Sequence, residues 1–431
     1  MIQRRIRTLL FMALALTGPL VLIQGCASNQ SMATTPATPK TIAQIQVTGQ
    51  PVKVFDHTKD QQQPGNFPDA QITAWKEADG TVNLMVPSLE NYRMRGPDLE
   101  HLAIDTQEIF SSSQSAHQIP EDLHNYNHWM MGPYSLDGLH FYSLTHSEWY
   151  ACLLNNDCDA NGDAAQGNSW ANTVNSLVSP DGGATWQLNV VNGNHIVAKT
   201  AFVWTGSQAF TQKIYLHAMN HTGIFQPTRV IKEGDFYYSI GYYIHRDFTQ
   251  INPAGGIFEA PIDKFGYVIM RTNDVTNPNN WQAWTSGSTY EAIANMNFNV
   301  FLPQQNGAPL NGATPPQIIY DTNAQSYILI HTLFGGSNAE YFMTTKSLAN
   351  PAWSDSTPIM GTAALTTDPA GPVTGFNDAN FVSILDDSSS GFNFEFSSGS
   401  PQLFFNTFPQ QYGGDNLARD VYRLQLSVTY R

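Results

Sequence analysis

The stretch QPTRVIKEGDFYYSIGYY (residues 226–243), followed by YVIMRTNDVTNPNNW (267–281), decides the fold. Thr228–Lys232 is a short apolar run, Glu233-Gly234-Asp235 interrupts it with turn-forming residues, and Phe236–Tyr243 resumes it with aromatics. A third run, Tyr267–Thr272, passes through Asn273-Asp274-Val275-Thr276-Asn277-Pro278 to Trp281. These runs have strand length, β-branched and aromatic composition, and no helical period. Gly, Asn, Asp and Pro between them supply tight turns.

The same order recurs on both sides. Residues 314–354 carry Pro316–Tyr320, a turn at Asp321–Ala324, Tyr327–Thr332 and Glu340–Thr345, then Ser347–Pro351 before Trp353. Residues 127–188 carry runs near Trp129–Tyr134, Leu139–His146 and Asn172–Val178, with a turn at Asp137-Gly138. Weaker units lie at 67–104, with Gln71–Lys76 and Val82–Pro87, and at 377–430, with Asn380–Leu385, Gln402–Phe408 and Asp420–Val428. A strand unit repeated at this spacing predicts an all-β chain forming a single β-propeller of about five blades, each of three to four antiparallel strands. Gln44–Phe55 is the candidate outer strand of the last blade, closing the ring. A β-sandwich is the rival architecture.

The unit at 127–188 ends in SPDGGATW, residues 179–186. Ser179, Asp181, Gly183, Thr185 and Trp186 match the Asp-box of sialidase-like propellers, whose Ser and Asp satisfy the amides of a tight hairpin and whose Trp packs between blades. This motif reports fold rather than catalysis. With the blade count and the Asn-Asp-Val-Thr-Asn-Pro…Trp phrasing, residues 60–430 resemble the five-bladed arabinanase- and fructosidase-type glycoside hydrolases. The resemblance implies carbohydrate as the partner and paired carboxyl groups as the chemistry. It makes Asp69, on the first inner strand, the base. Those hydrolases usually carry a further carboxylate on a middle inner strand, where this chain has Phe225-Gln226-Pro227-Thr228-Arg229. Arg229 reads instead as a clamp on a carboxylate or sugar hydroxyl.

In a propeller, inner strands begin and second strands end at one mouth of the channel, so residues at those places converge. They are polar in every unit. Glycoside cleavage needs one protonated and one ionised carboxyl. Asp69, Glu148 (beside His146 and Trp149) and, in reserve, Glu340 are the catalytic candidates. Glu90, Tyr92, Arg93, His128, His146, Arg229, Tyr243, His331, Asp378 and Asn380 are the candidate substrate-binding residues. Asp69 as a turn cap, and Glu148 and Glu340 as ordinary strand-end acids, are the alternatives. Two functions stay open: a glycoside hydrolase-like protein, or a non-catalytic propeller that binds a glycan or a protein partner. Neither requires a cofactor.

The first residues add a location. Arg4, Arg5 and Arg7 precede an apolar run from Leu9 to Ile23, too short to span a bilayer comfortably. Leu22-Ile23-Gln24-Gly25-Cys26 resembles a bacterial lipobox, which implies lipidation at Cys26. Residues 1–25 then form the signal peptide, 26–45 a flexible tether poor in aromatics, and 46–431 the propeller. An outer-membrane lipoprotein facing the periplasm or the cell surface is the expectation; an ordinary secretory signal is the other reading. Cys152 and Cys158 form a candidate disulfide of an oxidising compartment, or two free thiols. Asp157, Asp159, Asn161 and Asp163 have the D-x-D-x-N-G spacing of a structural calcium loop, or of a plain polar loop. The net charge of −15 becomes about −18 once three arginines and no acid leave with residues 1–25. That argues against nucleic acid, which needs clustered Lys and Arg. The membrane is engaged through the lipid alone.

Overall fold

The computed structural model of the chain describes residues 40–63, 67–88, 90–111, 127–150, 170–199, 222–247, 262–295, 298–310, 312–333, 340–362, 380–407 and 418–431. Cys26, Cys152, Cys158, Asp157, Asp159, Asn161, Asp163 and Asp378 lie outside these residues. Among the described residues the fold is all-β; the helical pieces are one turn at His57–Asp60 and two three-residue 3-10 turns. No described helix is long and apolar enough to cross a membrane.

Five sheet units follow one another along the chain. The first holds Thr73–Lys76, Val82–Val86 and Glu90–Gly96; the second His128–Tyr134, Phe141–Tyr150 and Trp170–Ser179. The third holds Ile231–Glu233, Phe236–Arg246, Ile262–Thr272 and the hairpin Gln282–Ser286/Thr289–Ala292. The fourth is Gln317–Asp321, Ser326–Thr332 and Glu340–Thr345; the fifth Asn380–Leu385, Gln402–Thr407 and Asp420–Tyr430. Glu90–Gly96 escapes a sequence reading because Arg93 and Arg95 hide its β pattern.

Strands Ile42–Val47 and Val52–Phe55 both pair with Asp420–Tyr430, so the two ends of the described body meet in the fifth sheet. The segment anticipated at Gln44–Phe55 is therefore two short strands, and the first begins inside the stretch read as a tether. Apolar Ile42 and Ile45 are the reason: Ile45 is fully buried against the fourth and fifth units.

Packing links the units in a cycle. Trp75 and Met85 of the first share a cluster with Met130, Phe141 and Leu177 of the second. Leu144 and Val174 of the second meet Val268 and Met270 of the third. Ile240 and Ile269 of the third meet Ile318 and Leu329 of the fourth. Ile328 and Ile330 meet Leu403 and Leu424 of the fifth, and Leu385 and Phe404 of the fifth meet Ile72 and Leu84 of the first. Burying both faces of every sheet this way supplies the dominant stabilising term.

Two units are also joined through their backbones. Thr222–Phe225 pairs in parallel with Trp170–Ser179 and antiparallel with Phe236–Arg246, making one continuous sheet. Gly223 permits it: φ is +116°, and a Cβ there would lie 2.4 Å from the Asn172 carbonyl oxygen.

SPDGGATW folds as a hydrogen-bonded turn. Thr185 donates to Asp181 from its amide (2.9 Å) and its hydroxyl (2.7 Å), and the Gly183 amide donates to Ser179 Oγ (2.9 Å). Trp186 meets Trp75 edge-on, with centroids 6.0 Å apart, and Trp75 Nε1 donates to the Gly182 carbonyl (3.0 Å). The turn thus clips the second unit to the first.

Candidate functional site

The starts of the inner strands and the ends of the second strands come together. Gln71 Nε2 of the first unit donates to the Pro315 carbonyl of the fourth (2.9 Å). Asn406 Nδ2 of the fifth donates to the Pro68 carbonyl (3.2 Å), and Ala70 packs with Trp129 and Met131 of the second. Trp129 stacks on His146, with centroids 5.1 Å apart, and His146 reaches Phe225 of the connecting strand at 5.8 Å.

Each unit leaves a buried polar atom without a hydrogen-bond partner at this end. They are Gln71 Oε1, Trp129 Nε1, Gln226 Oε1, Gln317 Nε2 with Glu340 Oε1, and Asn406 Oδ1. Buried polar atoms are normally paired, and leaving one unpaired costs about 1–3 kcal/mol. The backbone is strained here too. Asn127, Gln226 and Phe381, entering the inner strands of three units, have φ of 40°, 46° and 51°, a left-handed region that Gln and Phe rarely adopt, though Gln325 and Phe394 adopt it elsewhere in the described fold. Such strain gathers at binding and catalytic sites.

The carboxyl groups occupy three kinds of environment. Asp69 is partly exposed and ion-paired with Arg419, which also donates to the Pro68 carbonyl (3.1 Å) and lies over the Phe67 ring. Glu148 Oε1 lies 3.5 Å from His146 Nε2, and Asn172 Oδ1 lies 2.7 Å from the same nitrogen. Two acceptors at Nε2 assign the imidazole proton there. Glu340 is fully buried: Thr332 Oγ1 donates to its Oε2 (2.7 Å), and burial pushes its pKa up to about 8. It is a neutral acid at pH 7. Its link to the mouth runs through Thr332, whose amide bonds Thr314 Oγ1, next to Pro315.

Glu90 and Tyr92, anticipated from the sequence, have a neighbour that was not: Glu108. Burial first, and then the negative charge of Glu108, raise the Glu90 pKa, and the same influences raise the Tyr92 phenol. Glu90 Oε2 and Glu108 Oε1 are both buried without a partner. Only the pairing of Phe110–Ser111 with Glu90–Asn91 brings the two glutamates together, and it has no sequence signature.

Other predicted residues are turned inward. Arg229 is fully buried and donates to the carbonyls of Phe394 and Ile384 (both 2.5 Å), bracing the third unit against the fifth. Burial lowers its pKa to about 9. Arg93 binds Asp105 and the Gly183 carbonyl, supporting the turn at 179–186. His128 is buried and neutral; burial first, then His195 and His146, lower it to about 3. His331 is lowered to about 4 by burial, sits 3.1 Å from Ser356 Oγ and stacks on Tyr341. Tyr243 packs edge-on against Phe298 in the core. Asn380 pairs through its backbone with Asn406 at the mouth. Among the described residues, the group with metal-ligand proximity is Asp56, His57 and Asp420; Asp420 follows Arg419 in the chain, and Lys53 Nζ already lies 2.6 Å from it.

No protein-family model and no curated protein sequence matches the chain. Among solved structures, it is similar to the GH43_1 enzyme from Xanthomonas citri complexed with xylotriose, at 11% identity over 85% of this chain and 90% of that one, with a TM-score of 0.46. It is similar to the catalytic domain of the Coprinopsis cinerea GH62 α-L-arabinofuranosidase at 12% identity, over 90% of this chain and 98% of that one (TM-score 0.43). A protein of unknown function from Dyadobacter fermentans shares 8% identity over 90% of this chain and all of its own (TM-score 0.46).

Proposed function

We propose that the five units are the blades of one propeller and that the chain is a carbohydrate-active protein of glycoside hydrolase type, working at the mouth described above. One observation carries the reading: every unit presents a buried, unpartnered polar atom at the same end, around carboxyl groups held in different states. Sugar hydroxyls donate and accept in that density, and Trp129 beside His146 offers an indole N–H. Asp69, paired with Arg419, is the base. Glu148, beside His146, is the acid, and Glu340 is the reserve acid because it is held neutral at pH 7.

The test is a glycan-array screen of the full chain with mass spectrometry of every hit. Release of product, reduced about 10²–10⁴-fold by Asp69→Asn and by Glu148→Gln, is the expected result. Product release untouched by both substitutions overturns the assignment. The second reading, binding without cleavage, draws on the Asp69–Arg419 ion pair, which occupies the carboxylate a base would need free. Binding without release selects it.

The envelope setting belongs to the same proposal. Cys26 carries the lipid of an outer-membrane anchor, checked by labelling with a fatty-acid analogue and its loss in Cys26→Ser. Cys152 and Cys158 form a disulfide, checked by mass mapping. Asp157, Asp159, Asn161 and Asp163 are proposed as ligands of a structural calcium ion, with a plain polar loop as the alternative; a rise in Tm on adding calcium selects the ion, and an unchanged Tm selects the loop.

A further inference from the structure

At the other end of the strands lies a cavity of about 320 Å³, within the range of small-ligand sites. It opens between the second and third units, beside the hairpin that joins His128–Tyr134 to Phe141–Tyr150. Its walls are aromatic. Tyr134 and Tyr237 meet edge-on at 5.0 Å, and the partly exposed Tyr142 stands beside them.

Two carboxylates face the same space, both fixed by turns. Asp137 accepts from the amides of Leu139 and His140 (2.9 and 2.8 Å), and His140 Nδ1 lies 2.7 Å from its other oxygen. These bonds, His140's first, hold Asp137 well below the usual carboxylate range. Asp274 accepts from the amide and hydroxyl of Thr276 (3.0 and 2.7 Å). Among the described residues no Lys or Arg lines the cavity. His140, paired with Asp137, also lines it, and Asp274 carries no cationic partner among the lining residues; both carboxylates add to the rise that burial first gives the Tyr142 phenol. The neighbouring Tyr237 ring already carries the Lys232 ammonium 5.2 Å from its centroid, outside the lining.

We propose that this cavity is a second binding site, separate from the mouth, for a protonated amino sugar. The partly exposed Tyr142 offers an aromatic surface to a pyranose, Tyr134 and Tyr237 themselves being buried, and tyrosine rings attract a nearby ammonium. Asp137 and Asp274 favour the positive charge. The volume takes a sugar ring where a bare ammonium would leave most of the space unfilled. The saccharide class rests on the carbohydrate reading of the mouth; the positive charge rests on the cavity alone.

The experiment is calorimetric titration of the full chain with glucosamine, its β-1,4 dimer and their N-acetylated forms, at low and high salt. The expected result is binding of the amine forms, weakened by salt and reduced about tenfold or more on N-acetylation. Asp137→Asn combined with Asp274→Asn keeps the turn acceptors, removes the charge, and is expected to weaken glucosamine by about the same factor. Equal binding of amine and N-acetyl forms overturns the proposal, as does a well-folded double variant with unchanged affinity. Should that variant fail to fold, the amine/N-acetyl contrast in the unaltered chain decides. Neutral-glycan binding that persists while glucosamine fails to bind overturns this inference alone and leaves the mouth reading standing.

Discussion

The two ends of the strands use the same residue types in opposite ways. At the hairpin end, Ser and Asp are consumed locally: Asp181 by Thr185, Asp137 by Leu139 and His140, Asp274 by Thr276, Asp386 by Ser388, Ser397 and Ser398. At the mouth, Gln71, Gln226, Gln317, Glu340 and Asn406 each retain a buried atom with no partner. The difference lies in backbone geometry. A tight hairpin presents amides two to four residues ahead, within reach of a short polar side chain, and Asp386 also reaches Ser397 and Ser398 eleven and twelve residues on. Strand starts that converge from separate units offer no such local donors. Short polar side chains at the hairpin end thus mostly shape its turns, with Asp137 and Asp274 also lining the cavity there and Asn83 and Gln402 each keeping an unpartnered atom, whereas at the mouth an unpartnered buried atom recurs in every unit.

Substitutions can break or sharpen this contrast. The largest effect is expected between the two ends, at Arg229. Arg229→Ala leaves the carbonyls of Ile384 and Phe394 unbonded and opens a cavity. It should cost about 3–5 kcal/mol in denaturant unfolding. A loss under about 1 kcal/mol would return Arg229 to the ligand-binding set.

Glu340 comes next. Its folded pKa of about 8 stands above the unfolded value, so between the two the folded state holds a proton that the unfolded state has released. Its contribution is thus fully present below the unfolded pKa near 4.3 and falls until about pH 8. The stability of the unaltered chain relative to Glu340→Gln should therefore fall by on the order of 3 kcal/mol between pH 5 and 8. A parallel pair of stability–pH curves would show that Glu340 is ionised or solvated.

At the hairpin end, Asp181→Ala frees the Thr185 amide and hydroxyl and should cost about 1–2 kcal/mol. The smallest effect is at the mouth. Asp69→Asn removes a partly exposed ion pair and should change stability by about 1 kcal/mol or less. A larger loss would class Asp69 with the structural acids of the other end.

The sequence was most legible where local chemistry decides. Glu340–Thr345 and Asn380–Leu385 form strands over the anticipated residues, and the hairpin at Glu233-Gly234-Asp235 joins Ile231–Glu233 to Phe236–Arg246. It was least legible where partners are distant. Thr222–Phe225 was missed because a four-residue strand with a glycine carries no pattern of its own. Arg229, His128, His331 and Tyr243 were read as facing the channel because their positions converge there. Convergence says where the backbone goes, not whether a side chain turns into the channel or into the packing between units.

By itself, then, the sequence determined that this chain is all-β, built of repeated strand units with polar residues at one shared end. Strand propensity, turn residues and period-two patterning act over a few positions and need no knowledge of the rest. Only the tertiary structure decided which of those polar groups are spent and which remain. The Arg419 that holds Asp69, the carbonyls that occupy Arg229 and the burial that keeps Glu340 protonated are all interactions across hundreds of residues or through excluded solvent. Protonation state and partner depend on three-dimensional surroundings, and those exist once the units have packed.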